Sequence, residues 1–113
     1  MKDIETYEDV LDLIKLFYKK LLFDEQIGHF FQELNLDLHI PRVADFWAFI
    51  LIDQPGYSGN MITAHAKLHL SEPDFERWLN LFHKTIQENF EGTKAALAIE
   101  RSTLIAWTMK SKL

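Results

Sequence analysis

Apolar residues recur at helical spacing along almost the whole chain, and no segment is read as a strand. Val10, Leu13, Ile14, Phe17, Tyr18, Leu21 and Leu22 follow i, i+3, i+4, i+7 spacing for three turns, which predicts a helix over about 7–23 with one stripe facing the core. Asp24 and Gly28 break it, and Ile27, Phe30 and Phe31 supply a short apolar patch, a brief helix or turn. The next helix begins between Asp37 and Pro41 and presents Val43, Phe46, Trp47 and Ile50. Proline is comfortable only in a first turn and biases Ile40 away from helical angles, so His39 is expected at the very start of this helix or just before it.

Residues 53–60 form a loop by composition, and 61–70 a short amphipathic stretch holding His65 and His69. Ser71-Glu72-Pro73-Asp74 reads as a helix start, with serine as cap, proline in the first turn and an acid at the third position. Phe75, Trp78, Leu79, Phe82, Ile86 and Phe90 then share one face, and Gly92 is expected to end the helix. A last helix from Thr93 to about Lys110 is expected to bury Leu97, Leu104, Ile105 and either Trp107 or Met109. The expected architecture is all-α, four main helices plus short ones, in one domain over residues 1–113.

The composition narrows the function. Nine of the aromatic residues are Phe, more ring surface than a small domain needs merely to fold; it suits either a rich core or a wall for something flat and apolar. The net charge of -5 and the lack of a basic run argue against a nucleic-acid partner. The absence of cysteine removes disulfides, thiolate metal sites and cysteine nucleophiles. The first residues are too acidic and polar for a signal peptide, and the longest apolar stretch falls far short of the roughly 20 residues that span a bilayer. A cytoplasmic chain with no membrane partner is expected. The last three residues, Ser111-Lys112-Leu113, match a peroxisomal address, a signal too short to decide anything.

Few side chains promise chemistry. His65 can offer one ring nitrogen to a metal while the other donates to a carbonyl, or it is a histidine at the core edge. With His69 it makes a His-x3-His pair suited to zinc, but the glutamate of His-Glu-x-x-His and a third ligand are missing. Tyr18 is a polar tip on an apolar stripe, and Trp78 is a donor only; each is either a core residue or part of a polar pocket with His39. No Ser-His-Asp set, glycine-rich phosphate loop or paired carboxylates stand out.

Over 16–107 the chain resembles the truncated haemoglobins, and within them the third group. Phe17-Tyr18-Lys19-Lys20 is similar to the family's early Phe-Tyr segment, and Ile27-Gly28-His29-Phe30-Phe31 to a turn whose phenylalanine stacks on haem. The run from His39 through Phe46-Trp47 resembles the distal helix; Tyr57-Ser58-Gly59-Asn60 and Ala64-His65-Ala66-Lys67-Leu68 resemble the loop and proximal-histidine segment. Phe75-Glu76-Arg77-Trp78 resembles the start of the next helix. The order of the pieces and the 26 residues between His39 and His65 make the combination specific. Met61 and His69 depart from it, standing where the family often has proline.

The resemblance implies a truncated globin fold, a helical sandwich around haem b (iron protoporphyrin IX), held without covalent attachment since there is no cysteine. His65 is then the proximal iron ligand; Tyr18, His39 and Trp78 face the bound gas; Phe31, Arg42, Val43, Phe46, Met61, Leu68, Phe75 and Phe82 surround the haem, with Arg42, backed by Lys67, meeting a propionate. Reversible binding of dioxygen or another diatomic ligand is the expected function of a monomer or weak homodimer. Peroxide or nitric-oxide detoxification with an external reductase is an alternative, and a haem-free helical interaction module a second.

Overall fold

The computed structural model describes residues 1–57, 59 and 68–111. Four long helices carry it: α1 (Tyr7–Leu22), α2 (Leu36–Ile52), α3 (Glu72–Asn89) and α4 (Thr93–Lys110), with a 3-10 turn (Gly28–Phe30) between α1 and α2. Among the described residues there is no strand, and no helix is long and apolar enough to cross a membrane.

Local chemistry sets the helix starts. Thr6 accepts from the Asp9 amide while the Asp9 carboxylate accepts from the Thr6 amide, a reciprocal cap on α1. Ser71 and Asp74 repeat the device on α3, with Pro73 in the first turn as its sequence predicts. α4 is capped from a distance: the Asp3 carboxylate accepts from the Lys94 and Ala95 amides at 2.9 Å each. Gly92 makes this possible. Its φ of +133° lies in glycine territory, and a Cβ there would sit 2.6 Å from the Asp3 carboxyl carbon. Gly92 therefore opens α4 rather than closing α3, which ends in extended backbone at Phe90.

Two further expectations are corrected. α2 starts at Leu36, so His39 lies inside it and Pro41 beyond its first turn. The bond that Pro41 cannot donate would have gone to the carbonyl of Asp37, an exposed residue where water can replace it. In α4, Leu104 and Trp107 are 52% and 66% exposed, and the core face is Ala95, Ala98, Ser102, Ala106 and Met109. Small side chains at these positions let α4 lie close to its neighbours, so burial follows Ala and Ser instead of the larger apolar residues.

α1 packs against both α2 and α3, α3 against α4, and α2 against α4, which makes two helix pairs laid on each other. The core between them centres on Phe17, Trp47 and Phe82, all at most 2% exposed. Ile4, fully buried, anchors the N-terminal segment to it.

That segment is acid-sensitive. Burial opposes the charge on Asp9, yet Lys2 at 2.7 Å and the Glu5 and Thr6 amides outweigh it and hold its carboxyl at about 2. A carboxyl lowered from 3.8 stabilises the fold above its unfolded value and loses that contribution as pH falls from about 4 to about 2. Asp9→Asn is expected to destabilise the chain by about 2 kcal/mol at neutral pH. Urea unfolding of both proteins between pH 7 and pH 3 should show the difference shrinking on the acid side; a constant difference would contradict the assignment.

Candidate functional site

Successive residues of α1 serve two walls. Phe17 meets α3, edge-on to Trp78 at 5.8 Å and to Phe82 at 4.9 Å between ring centroids. Tyr18, about 100° further round the helix, meets α2 and the turn before it: its ring stands edge-on to His39 at 5.2 Å and to Phe31 at 6.2 Å. The Tyr18 hydroxyl lies 2.6 Å from His39 Nε2. Tyr18 is 2% exposed and His39 half-buried. Burial pushes the Tyr18 phenol far above its ordinary value, so it remains a neutral hydroxyl.

Trp78 is buried in α3 and stacks on Phe82, planes 13° apart. Phe82 also meets Trp47 of α2 at 5.1 Å. These rings bridge a real gap: no Cα of α2 comes within 8 Å of a Cα of α3. The two helices face each other across a space wider than ordinary helix packing, walled by aromatic side chains.

Of the other residues singled out in the sequence, Phe31 is buried beside Tyr18, and Phe82 lies in the centre of the core. Val43, Phe46 and Leu68 are half-buried against that core. Phe75 belongs to a second, small cluster with Leu70 and Met109, against which Leu68 also packs. Arg42 is exposed on α2. His65, Met61 and Lys67 lie outside the described residues. His69 follows Leu68 in a turn with a φ of +56°.

Three participants escaped the sequence reading. Tyr57, placed in a loop by its Gly and Ser neighbours, packs edge-on against Phe46 at 5.1 Å. Trp47, legible only as a core residue, links Phe46 to Phe82. Asp24, legible only as a helix break, takes Arg77 Nε at 2.8 Å and Nη2 at 2.6 Å on one oxygen and the Gln26 and Ile27 amides on the other. The Arg77 guanidinium, helped by those amides and opposed by burial, holds the Asp24 carboxyl below the ordinary range. This ties the turn that carries Phe31 to α3 beside Trp78. An aspartate that follows a helix, far in sequence from an arginine, gives no signal of that pairing.

The fold can be placed among known proteins. A crystal structure of a group III truncated haemoglobin from Campylobacter jejuni superposes with a TM-score of 0.89 at 24% identity, covering 100% of this chain and 95% of that one. A group 3 truncated haemoglobin from the same organism is 24% identical over 88% of this chain and 84% of its own length. A group 1 truncated haemoglobin from Tetrahymena pyriformis is 32% identical over 101 residues, 88% of this chain and 82% of that protein. The chain belongs to the truncated haemoglobins. Its fold is that of the third-group member, as the sequence resemblance implied. No protein-family model matches the chain.

A truncated haemoglobin implies a haem cofactor, and the residues present fit one. A haem is a flat apolar plate, and α2 and α3 are spaced apart with the Trp47 and Phe82 rings in contact between them. Its distal face needs hydrogen-bond donors within apolar walls, and the Tyr18 hydroxyl and His39 lie together among Phe17 and Phe31.

The 2.6 Å contact has a direct check. Tyr18→Phe should shift the His39 ring nitrogen resonances, leave those of His83 unmoved, and cost about 1 kcal/mol of stability for the lost hydrogen bond. Nitrogen-detected NMR of both proteins would decide; an unmoved His39 would remove the pair from the site.

Proposed function

We propose that the chain binds one haem b without covalent attachment, with His65 as the axial ligand of the iron, and that it holds dioxygen reversibly. The observation that carries this reading is the buried Tyr18–His39 contact on the wall opposite Trp78. Haem b would supply an iron able to take a diatomic gas as ligand.

The chain's own residues supply the rest. Tyr18 keeps its proton because burial disfavours the phenolate, so its O–H is available as a donor. When His39 carries its proton on Nε2, it donates to the Tyr18 oxygen and turns the hydroxyl hydrogen toward the pocket. Trp78 adds an indole N–H, a donor and never an acceptor. Donors fixed in an apolar, water-poor site stabilise a ligand that draws negative charge onto itself, and so slow its departure. Phe31, Val43, Phe46, Leu68, Phe75 and Phe82 would enclose the apolar plate, together with Met61. Arg42, exposed on α2, would meet a propionate. A single cytoplasmic domain, monomeric or weakly dimeric and served by an external reductase, goes with this reading.

His65→Ala should lose stoichiometric haem uptake and the Soret band of the purified protein; unchanged uptake and colour would refute the ligand assignment. Tyr18→Phe should release oxygen about tenfold faster, the equivalent of one hydrogen bond to a polarised acceptor. Stopped-flow release unchanged in both Tyr18→Phe and Trp78→Phe would dismiss these donors. Turnover of peroxide or nitric oxide well above that of free haem would favour the detoxifying alternative.

A further inference from the structure

Six of the ring contacts join end to end. Tyr57 meets Phe46 at 5.1 Å, Phe46 meets Trp47 at 5.4 Å, Trp47 meets Phe82 at 5.1 Å, and Phe82 meets Trp78 at 5.8 Å. Phe17 then links Trp78 to Tyr18 at 5.8 and 5.4 Å. Among these rings the oxidisable ones are Tyr57, Trp47, Trp78 and Tyr18, and each is separated from the next by a single phenyl ring. Among the described residues Tyr57, half-exposed, is one end, and Tyr18, buried against half-buried His39, is the other.

The ends differ in what they do with a proton. Oxidising a tyrosine by one electron makes its phenol strongly acidic, so the electron leaves easily only where a base takes the proton. Tyr18 has an imidazole nitrogen at 2.6 Å and almost no water. Tyr7 is the rival, its hydroxyl 2.9 Å from the Asp45 carboxylate, but a carboxylate is ordinarily weaker as a base than imidazole by about two to three pH units. Among the described residues Tyr7 also has no place in the ring series.

We propose that Tyr18 and His39 form a one-electron redox pair on which oxidising equivalents entering the ring series come to rest. In the tautomer that carries its proton on Nδ1, His39 Nε2 takes the hydroxyl proton as the Tyr18 ring gives up one electron, and a neutral tyrosyl radical faces an imidazolium. A one-electron oxidant is the class this suits: it takes the Tyr18 electron and is reduced by one unit, while the phenol proton stays on His39. The apolar walls of Phe17 and Phe31 shield the radical from solvent reductants. The pair belongs to the site assigned above to the gas-binding face, but its redox role does not need a haem.

The test uses the purified protein and flash-generated tris(bipyridine)ruthenium(III), an oxidant that acts with or without haem, followed by freeze-quenched electron paramagnetic resonance. A tyrosyl signal is expected, with a deuterium-exchangeable coupling from the imidazolium proton. It should vanish in Tyr18→Phe, persist in Tyr57→Phe, and lose the exchangeable coupling in His39→Leu. A signal of undiminished size in Tyr18→Phe overturns the proposal, as does an unaltered coupling in His39→Leu. The absorption spectrum of the same samples reports haem separately, so a haem-free preparation counts against the gas-binding reading while this test still returns its answer.

Discussion

Phe17 is where the two helix pairs of this molecule meet. Among the described residues its three ring contacts are all edge-on, one to its neighbour Tyr18 and two to α3. Because consecutive helical residues point about 100° apart, fixing Phe17 against Trp78 and Phe82 leaves Tyr18 facing α2 and the turn before it. Tyr18 then meets His39 as a consequence of packing. The polar contact sits inside the fold because an apolar one oriented the helix.

The width of the space beside that contact has a similar origin. Large rings keep α2 and α3 apart: Trp47 and Phe82 span between them while no pair of Cα atoms closes to 8 Å. On the other side, Ala95, Ala98, Ser102 and Ala106 give α4 a face of small residues, and α2 reaches α4 closely although it does not reach α3. A sandwich tight along one line and wide along another follows from small and bulky side chains on facing helices.

Much of this was legible in sequence, and the failures have causes. The stripe from Val10 to Leu22 and the Ser71 cap are local patterns, and local patterns fixed α1 and α3. Apolar size is a poor guide to burial in α4: Leu104 and Trp107 outrank the alanines on any such scale, yet close helix approach selects small residues. Pro41 was misplaced because an exposed carbonyl tolerates a missing donor. The site residues were nameable singly, but periodicity cannot say that Tyr18 and His39, 21 residues apart, share a hydrogen bond. Neither can it pair Asp24 with Arg77, or Asp3 with the start of α4.

Those distant pairings do what rings cannot. Apolar contact is non-directional, so a core of Phe and Trp tolerates small slides of one helix along another. A buried carboxylate bonded to several donors tolerates little, because each displaced donor leaves charge unmet. Asp3 and Asp9 impose this at the N-terminal end of α1, where they join it to α4 through the first residues of the chain. Asp24 imposes it at the other end, joining the turn that carries Phe31 to α3 through a side chain only 3% exposed. The Lys20–Glu88 pair lies at the same end but on the surface, where solvent weakens it. With both ends of α1 held by carboxylates bonded to several donors, the residues between them, Phe17 and Tyr18, keep the register against α2 and α3 that sets the phenol against His39.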